Sequence, residues 1–154
     1  FYEKKVLISG GSRALGRATA QAFAARGAQI AINFRSDSSA AAETIESLEG
    51  EGHFAIKADI SRANAVEKLT EAVIGEFEGI DVLVNNAGIY LPHPILDSDY
   101  QAWQEAWKNT LDLNLVGVAN MCFWAAQHMK EKGGGHIINV SSRGAYRGEP
   151  YHTE

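Results

Sequence analysis

The aliphatic run Val6-Leu7-Ile8 leads through Ser9-Gly10-Gly11-Ser12-Arg13-Ala14-Leu15-Gly16 into the helix-like Arg17-Ala18-Thr19-Ala20-Gln21-Ala22-Phe23. This is a strand, a glycine turn and a helix start in immediate succession. A short glycine turn lets backbone come close to a pyrophosphate, and the free N–H groups and positive dipole end of the following helix favour its charge. The segment therefore reads as a phosphate cradle, and it demands a fold in which a strand opens onto a helix N-terminus.

The rest of the chain repeats that alternation. Val6 to Ser9 precedes a helical pattern from Arg17 to Arg26, and Gln29 to Phe34 precedes Ser39 to Leu48. Phe54 to Lys57 precedes Val66 to Phe77, Val82 to Asn85 precedes a long pattern from Asp99 to Lys132, and His136 to Ser141 forms a fifth strand. Strands separated by helices of this length become parallel neighbours only through crossover connections, which places helices on both faces of one sheet. The expected class is α/β, a doubly wound parallel sheet. Gly27, Gly50, Gly52, Gly79 and the Gly133-Gly134-Gly135 run each follow a helical pattern and read as C-caps. No repeat or low-complexity linker divides residues 1–154, so one domain is expected.

At 154 residues with 45% hydrophobic and 21% charged content, the chain has enough apolar material for a core, which excludes disordered and fibrous classes. The net charge of -5 gives no basic footprint, so neither nucleic acid nor an anionic membrane is the expected partner, and a small molecule fits better. No apolar stretch is long enough to span a bilayer and the first residues lack a signal-like apolar segment, so a cytoplasmic protein is expected. The single cysteine, Cys122, lies among Met121, Phe123 and Trp124 and reads as a buried, unreactive thiol. His53, His93, His128, His136 and His152 are scattered without ligand spacing, so no metal site is expected. The long fourth helix carries apolar residues on several faces, among them Trp103, Trp107, Leu111, Leu115, Phe123 and Trp124. One face should meet the sheet and another a second subunit.

Against the G-x-G-x-x-G fingerprint the turn fails, because Ser12 stands at the second glycine, and a P-loop fails because Arg17 follows Gly16. The turn instead resembles the T-G-x-x-x-G-x-G segment of the short-chain dehydrogenase/reductase family, with Ser9 for the threonine and Ala14 for the middle glycine. Three later segments agree in order and spacing: Asp59-Ile60 after the third strand, Asn85-Asn86-Ala87-Gly88 at the end of the fourth, and Asn114 followed by Ser142. Within that family the chain resembles single-domain members of the 3-oxoacyl-carrier-protein reductase kind.

That resemblance implies a Rossmann-type domain and hydride transfer between a nicotinamide dinucleotide and a carbonyl or alcohol. It implies cofactor contacts at Gly10, Ser12, Arg13, Leu15, Gly16, Arg35, Ser36, Asp59, Ile60, Asn86, Ala87 and Gly88. Asn114 and Ser142 become two of four catalytic residues, the asparagine interrupting its helix and the serine polarising the carbonyl. Adjacent strand residues face opposite sides, so of Ser141 and Ser142 only one should reach the site. Apolar Leu113, Leu115 and Val116 argue that Asn114 is not simply solvated, and His93 falls where relatives line the substrate cleft.

Relatives that bind NAD carry an acid at the end of the second strand, where this chain has Phe34 and then Arg35. Arg35 with Arg13 can clamp a 2′-phosphate through charge-assisted bonds, opposed slightly by Asp37, so NADP(H) is expected ahead of NAD(H). The remaining pair, Tyr-x-x-x-Lys, falls by the family interval just after Glu154. Tyr146 has Pro150 at the lysine position, and Tyr151 lies too close to Ser142. The expectation is an N-terminal portion lacking the acid/base, the last strand and its helices, inactive by itself and homodimeric or homotetrameric when whole. The rival reading is a non-catalytic redox-sensing regulator that binds NAD(P) without the tyrosine and lysine.

Overall fold

The computed structural model describes residues 1–148; Pro150, Tyr151 and His152 lie outside them. The elements run β1 (Lys5–Ile8), α1 (Ala14–Ala24), β2 (Gln29–Phe34), α2 (Ser38–Glu46), β3 (Phe54–Lys57) and α3 (Ala63–Phe77). They continue with β4 (Val82–Asn85), α4 (Tyr100–Leu111), a π-helical turn (Asp112–Gly117), α5 (Val118–Glu131), β5 (His136–Asn139) and the single turn α6 (Gly144–Arg147).

All strand pairs are parallel, in the order β3-β2-β1-β4-β5. The sheet is held in register by pairs such as Leu7 with Ala31 on one side and Leu7 with Leu83 on the other. Period-two alternation sorts its residues onto two faces. Val6, Ile8, Ile30, Ile32 and Val84 pack with Ala20 and Ala24 of α1 and Ala41 of α2. Leu7, Ala31 and Leu83 pack on the opposite face with Leu69 and Val73 of α3 and Met121, Ala125 and Met129 of α5. Because β1 and β4 are covered on both faces, Val6 to Ile8 and Val82 to Val84 are unbroken apolar runs. The doubly wound Rossmann-type arrangement with helices on both faces is present. After β3 the chain crosses to the other side of β1, so the winding reverses between β1 and β4. Ligands of such sheets bind at that reversal, outside the carboxyl ends of the strands.

Two helices end as their glycines require. Gly27, at φ +81°, closes a Schellman motif in which Ala28 N–H bonds Phe23 O at 3.2 Å and Gly27 N–H bonds Ala24 O at 2.8 Å. Gly133, at φ +88°, does the same for α5, with Gly134 N–H to Met129 O at 2.8 Å. The expected cap at Gly79 is corrected: Glu78 takes the left-handed conformation, at φ +58°, and a Cβ on Gly79 would lie 3.1 Å from the His128 ring. α1, α2 and α3 start earlier than expected. For α2 the reason is Asp37, whose carboxylate accepts from Ala40 N–H at 3.0 Å as a helix cap.

The largest departure is the expected single helix from Asp99 to Lys132, which is three segments. The π-turn widens the helix around Asn114, and Gly117 packs so tightly there that a Cβ would sit 2.6 Å from Ile60 O. Asn114 is itself exposed, and so are Leu115, Val116, Leu111 and Phe123, which corrects the expectation that its apolar neighbours keep Asn114 from solvent. No helix of the described residues is long and apolar enough to cross a membrane.

Candidate functional site

The carboxyl ends of β1 and β4 are clasped together. Ser9 is fully buried, and its Oγ accepts from the N–H groups of Asn86 and Ala87, each at 3.1 Å. In return Asn86 Nδ2 donates to the carbonyls of Ser9 and Gly10 at 3.1 and 3.0 Å. The Asn-Asn-Ala-Gly segment is thereby fixed against the glycine turn. The glycines are what make this approach feasible. A Cβ on Gly10, at φ +63°, would lie 2.9 Å from Ala87 Cα, and one on Gly16 would lie 2.2 Å from Gly10 O. Ala14, at the position of the family's middle glycine, holds φ +45°, a conformation that costs an L-residue about 1–2 kcal/mol. The first N–H groups of any helix lack intrahelical acceptors, and α1 begins without a side-chain cap to satisfy them, which suits this end of the helix to an anion.

Above the turn lies a cavity of about 280 Å³ lined by Gly10, Ser12, Arg13, Arg35, Ser36, Asp59, Ile60, Asn86, Ala87 and Gly88. Ten of the twelve expected cofactor residues therefore share one cavity, and Arg13 and Arg35 stand on its wall together. The other two are placed differently. Leu15 is 57% exposed on α1, and Gly16 is buried beneath the turn as packing for Gly10. Asp37 also lines this cavity, but its carboxylate is engaged as the α2 cap.

Asp59 is held as a carboxylate. Burial alone raises its pKa, but bonds from the Ser61 hydroxyl at 2.7 Å and the Ser61 N–H at 3.1 Å, with the fields of Arg35 and Arg62, leave it below the ordinary value. Asn33, missed in the sequence, braces the floor: it is 2% exposed and its Nδ2 donates to Ala58 O at 2.9 Å, tying β2 to the end of β3.

A second cavity, of about 710 Å³, adjoins the first along Asn86, Ala87, Gly88 and Ile89 and is also lined by Asn114, Asn139, Ser141, Ser142 and Arg143. Asn114 Oδ1 accepts from Ile89 N–H and its Nδ2 donates to Ile89 O, both at 2.9 Å, so its amide pairs with one residue as a neighbouring strand would. Ser142 is exposed and its Oγ accepts from Gly144 N–H at 3.3 Å. Ser141 lines the cavity as well. β5 stops at Asn139, so the alternation rule no longer governs residues 141 and 142.

Beneath this cavity Asn85 is 3% exposed; its Nδ2 donates to Asn139 Oδ1 at 2.8 Å and to Cys122 Sγ at 3.3 Å. Cys122 is thus half-buried beside a polar amide rather than sealed in apolar core. His93 is not at the cleft. It is 2% exposed, with Nδ1 2.7 Å from Leu91 O and its ring edge toward Trp107.

The chain matches the short chain dehydrogenase family profile over residues 4–153. It is 39% identical over 142 residues to the 3beta-hydroxysteroid dehydrogenase 1 of Eggerthella lenta, covering 90% of this chain and 53% of that protein. It is 34% identical over 141 residues to a 3-oxoacyl-(acyl-carrier-protein) reductase of Staphylococcus aureus, covering 90% of this chain and 56% of the other. Among solved structures, the 3-ketoacyl-(acyl-carrier-protein) reductase of Brucella melitensis complexed with NADH superposes with a TM-score of 0.86 at 33% identity. That superposition covers 97% of this chain and 62% of the solved one. The chain thus spans little more than half the length of the two sequence relatives.

Proposed function

This chain belongs to the short chain dehydrogenase family, and on that premise we propose that its full-length protein transfers hydride between a nicotinamide dinucleotide and a carbonyl or alcohol substrate. The reading rests on one observation: two cavities share the wall 86–89, one lined by the glycine turn, the other by Asn114 and Ser142. A dinucleotide laid across that wall would put its phosphates and its reactive ring in different chemical settings.

The residues present fit such a group. Gly10 and Gly16 leave no room for a Cβ, so the turn packs close against α1 and residues 86–87, and Gly10 presents bare backbone to the cavity that phosphate oxygens can approach. When bound, the nicotinamide supplies or accepts the hydride. Arg13 and Arg35 would hold the 2′-phosphate, which would favour NADPH over NADH, and Asp59 with Ile60 would bound the adenine side. Ser142 Oγ, already accepting one bond, keeps its hydroxyl proton to donate to the substrate carbonyl oxygen and polarise it. Asn114 keeps Ile89 in place on the shared wall; the proton itself is assigned to a tyrosine of the full-length protein. The similarity to 3-oxoacyl reductases supports an acyl thioester ketone as the substrate class. The exposed row Leu111, Leu115 and Phe123 supports self-association.

The test is Arg35→Ala in the full-length protein, with dissociation constants for NADPH and NADH measured by fluorescence. Loss of a charge-assisted phosphate contact should lower the NADPH preference by about tenfold or more; an unchanged ratio refutes the clamp. Ser142→Ala should slow ketone reduction while leaving cofactor affinity intact.

A further inference from the structure

We infer that Arg17 and Thr44 are positioning residues for nucleotide discrimination, holding the glycine turn and α2 at the spacing that lets Arg13 and Arg35 reach one phosphate. The inference rests on the NADPH reading above. Neither residue lines the cavity. From α1, Arg17 Nε donates to Thr44 Oγ1 at 2.8 Å, and Nη2 donates to Ser12 O at 3.2 Å and Ala40 O at 3.1 Å. Thr44 is fully buried, and its hydroxyl lies 2.9 Å from both Ser12 O and Ala40 O, which share its single proton. Ser12 immediately precedes Arg13, while Ala40 is the residue whose N–H is capped by Asp37, two positions after Arg35. One half-buried knot therefore ties together the two chain segments from which the guanidinium groups project.

The knot is separate from the clasp that forms the cradle floor. Asn86 holds the carbonyls of Ser9 and Gly10, whereas Arg17 and Thr44 hold that of Ser12. Releasing the knot leaves the pyrophosphate floor standing and frees only the spacing between the two arginines. NADH makes no demand on that spacing because it has no 2′-phosphate. Lysine cannot substitute for Arg17, since acceptors in three directions need a planar fork rather than a point charge.

The experiment compares Arg17→Lys, Thr44→Val, Arg35→Ala and the Arg17→Lys/Arg35→Ala double variant of the full-length protein. Dissociation constants for NADPH and NADH are measured beside thermal midpoints. The expected result is a roughly fivefold fall in the NADPH:NADH affinity ratio for Arg17→Lys and for Thr44→Val, the scale of one lost hydrogen bond. NADH affinity should be nearly constant, and Arg17→Lys should change the ratio no further once Arg35 is gone. If Thr44→Val does not fold, Arg17→Lys decides alone, because its change is made at a partly exposed side chain. Equal weakening of both cofactors, or an unchanged ratio while Arg35→Ala lowers it, overturns the inference and leaves the clamp standing. An unchanged ratio in Arg35→Ala itself removes the clamp and the inference with it.

Discussion

Gly16→Ala should dismantle the cradle although a helix ordinarily gains from alanine. The added Cβ would lie 2.2 Å from Gly10 O and 2.7 Å from Asn86 Nδ2, where ordinary contact begins at 3.4 Å. The Gly10 carbonyl must retreat by about 1.2 Å to restore that contact, which stretches its 3.0 Å bond from Asn86 beyond hydrogen-bonding range. Overpacking costs about 1–3 kcal/mol, and the lost bond adds about 1 kcal/mol. Alanine's helix propensity returns about 1 kcal/mol, so the net loss is about 1–3 kcal/mol. For a chain of this size that is a fall of roughly 3–10 °C in the thermal midpoint. Circular-dichroism melts give the midpoint, and NADPH titration should show at least a roughly tenfold weaker complex, because the displaced carbonyl crowds the phosphate site. A midpoint within 1 °C of the parent, on the order of the scatter between melts, together with unchanged NADPH affinity would refute the reasoning from close approach.

Ala14→Gly carries the opposite sign. Relief of the φ +45° conformation, less the greater freedom of glycine in the unfolded chain, should stabilise by about 0.5–1 kcal/mol, seen as a higher midpoint in urea; a lower midpoint contradicts the strain argument. Asp59 predicts a pH effect. Its folded pKa lies below the unfolded value of about 4, so its contribution is complete above that pH and disappears as pH falls through the folded value. Asp59→Asn should therefore flatten the acid limb of a midpoint-against-pH profile, and parallel limbs would show that the Ser61 and arginine contacts contribute nothing.

Much of this fold is legible because its strands obey simple periodicity. β2, β3 and β4 coincide with the apolar runs read from the sequence, since each is bounded by polar or glycine-rich segments. The long helix was harder. A π-turn inserts no distinctive residue pattern; the hints of irregularity are the cost of placing Asn114 in an apolar helix and the family resemblance, which has that asparagine interrupt its helix. Most of the lining of the cavity above the glycine turn is readable from motifs because contiguous turns supply its walls. The roles of Arg17, Thr44 and Asn33 are not, because each bonds a backbone carbonyl brought near by the crossover connections: Ala40 O, Ser12 O and Ala58 O respectively. His93 misled for the converse reason: proximity in sequence to Gly88 said nothing of its burial against Trp107.

The wall shared by the two cavities is anchored before anything binds. Ser9 fixes the N–H groups at Asn86 and Ala87, and Asn114 fixes both polar groups of Ile89. Ordering a free backbone costs about 1–2 kcal/mol per residue, and here that loss of entropy belongs to folding rather than to ligand capture. A molecule spanning both hollows meets a partition that is already stiff. By reciprocity, whatever one half of it does to the affinity of the other is returned in equal measure.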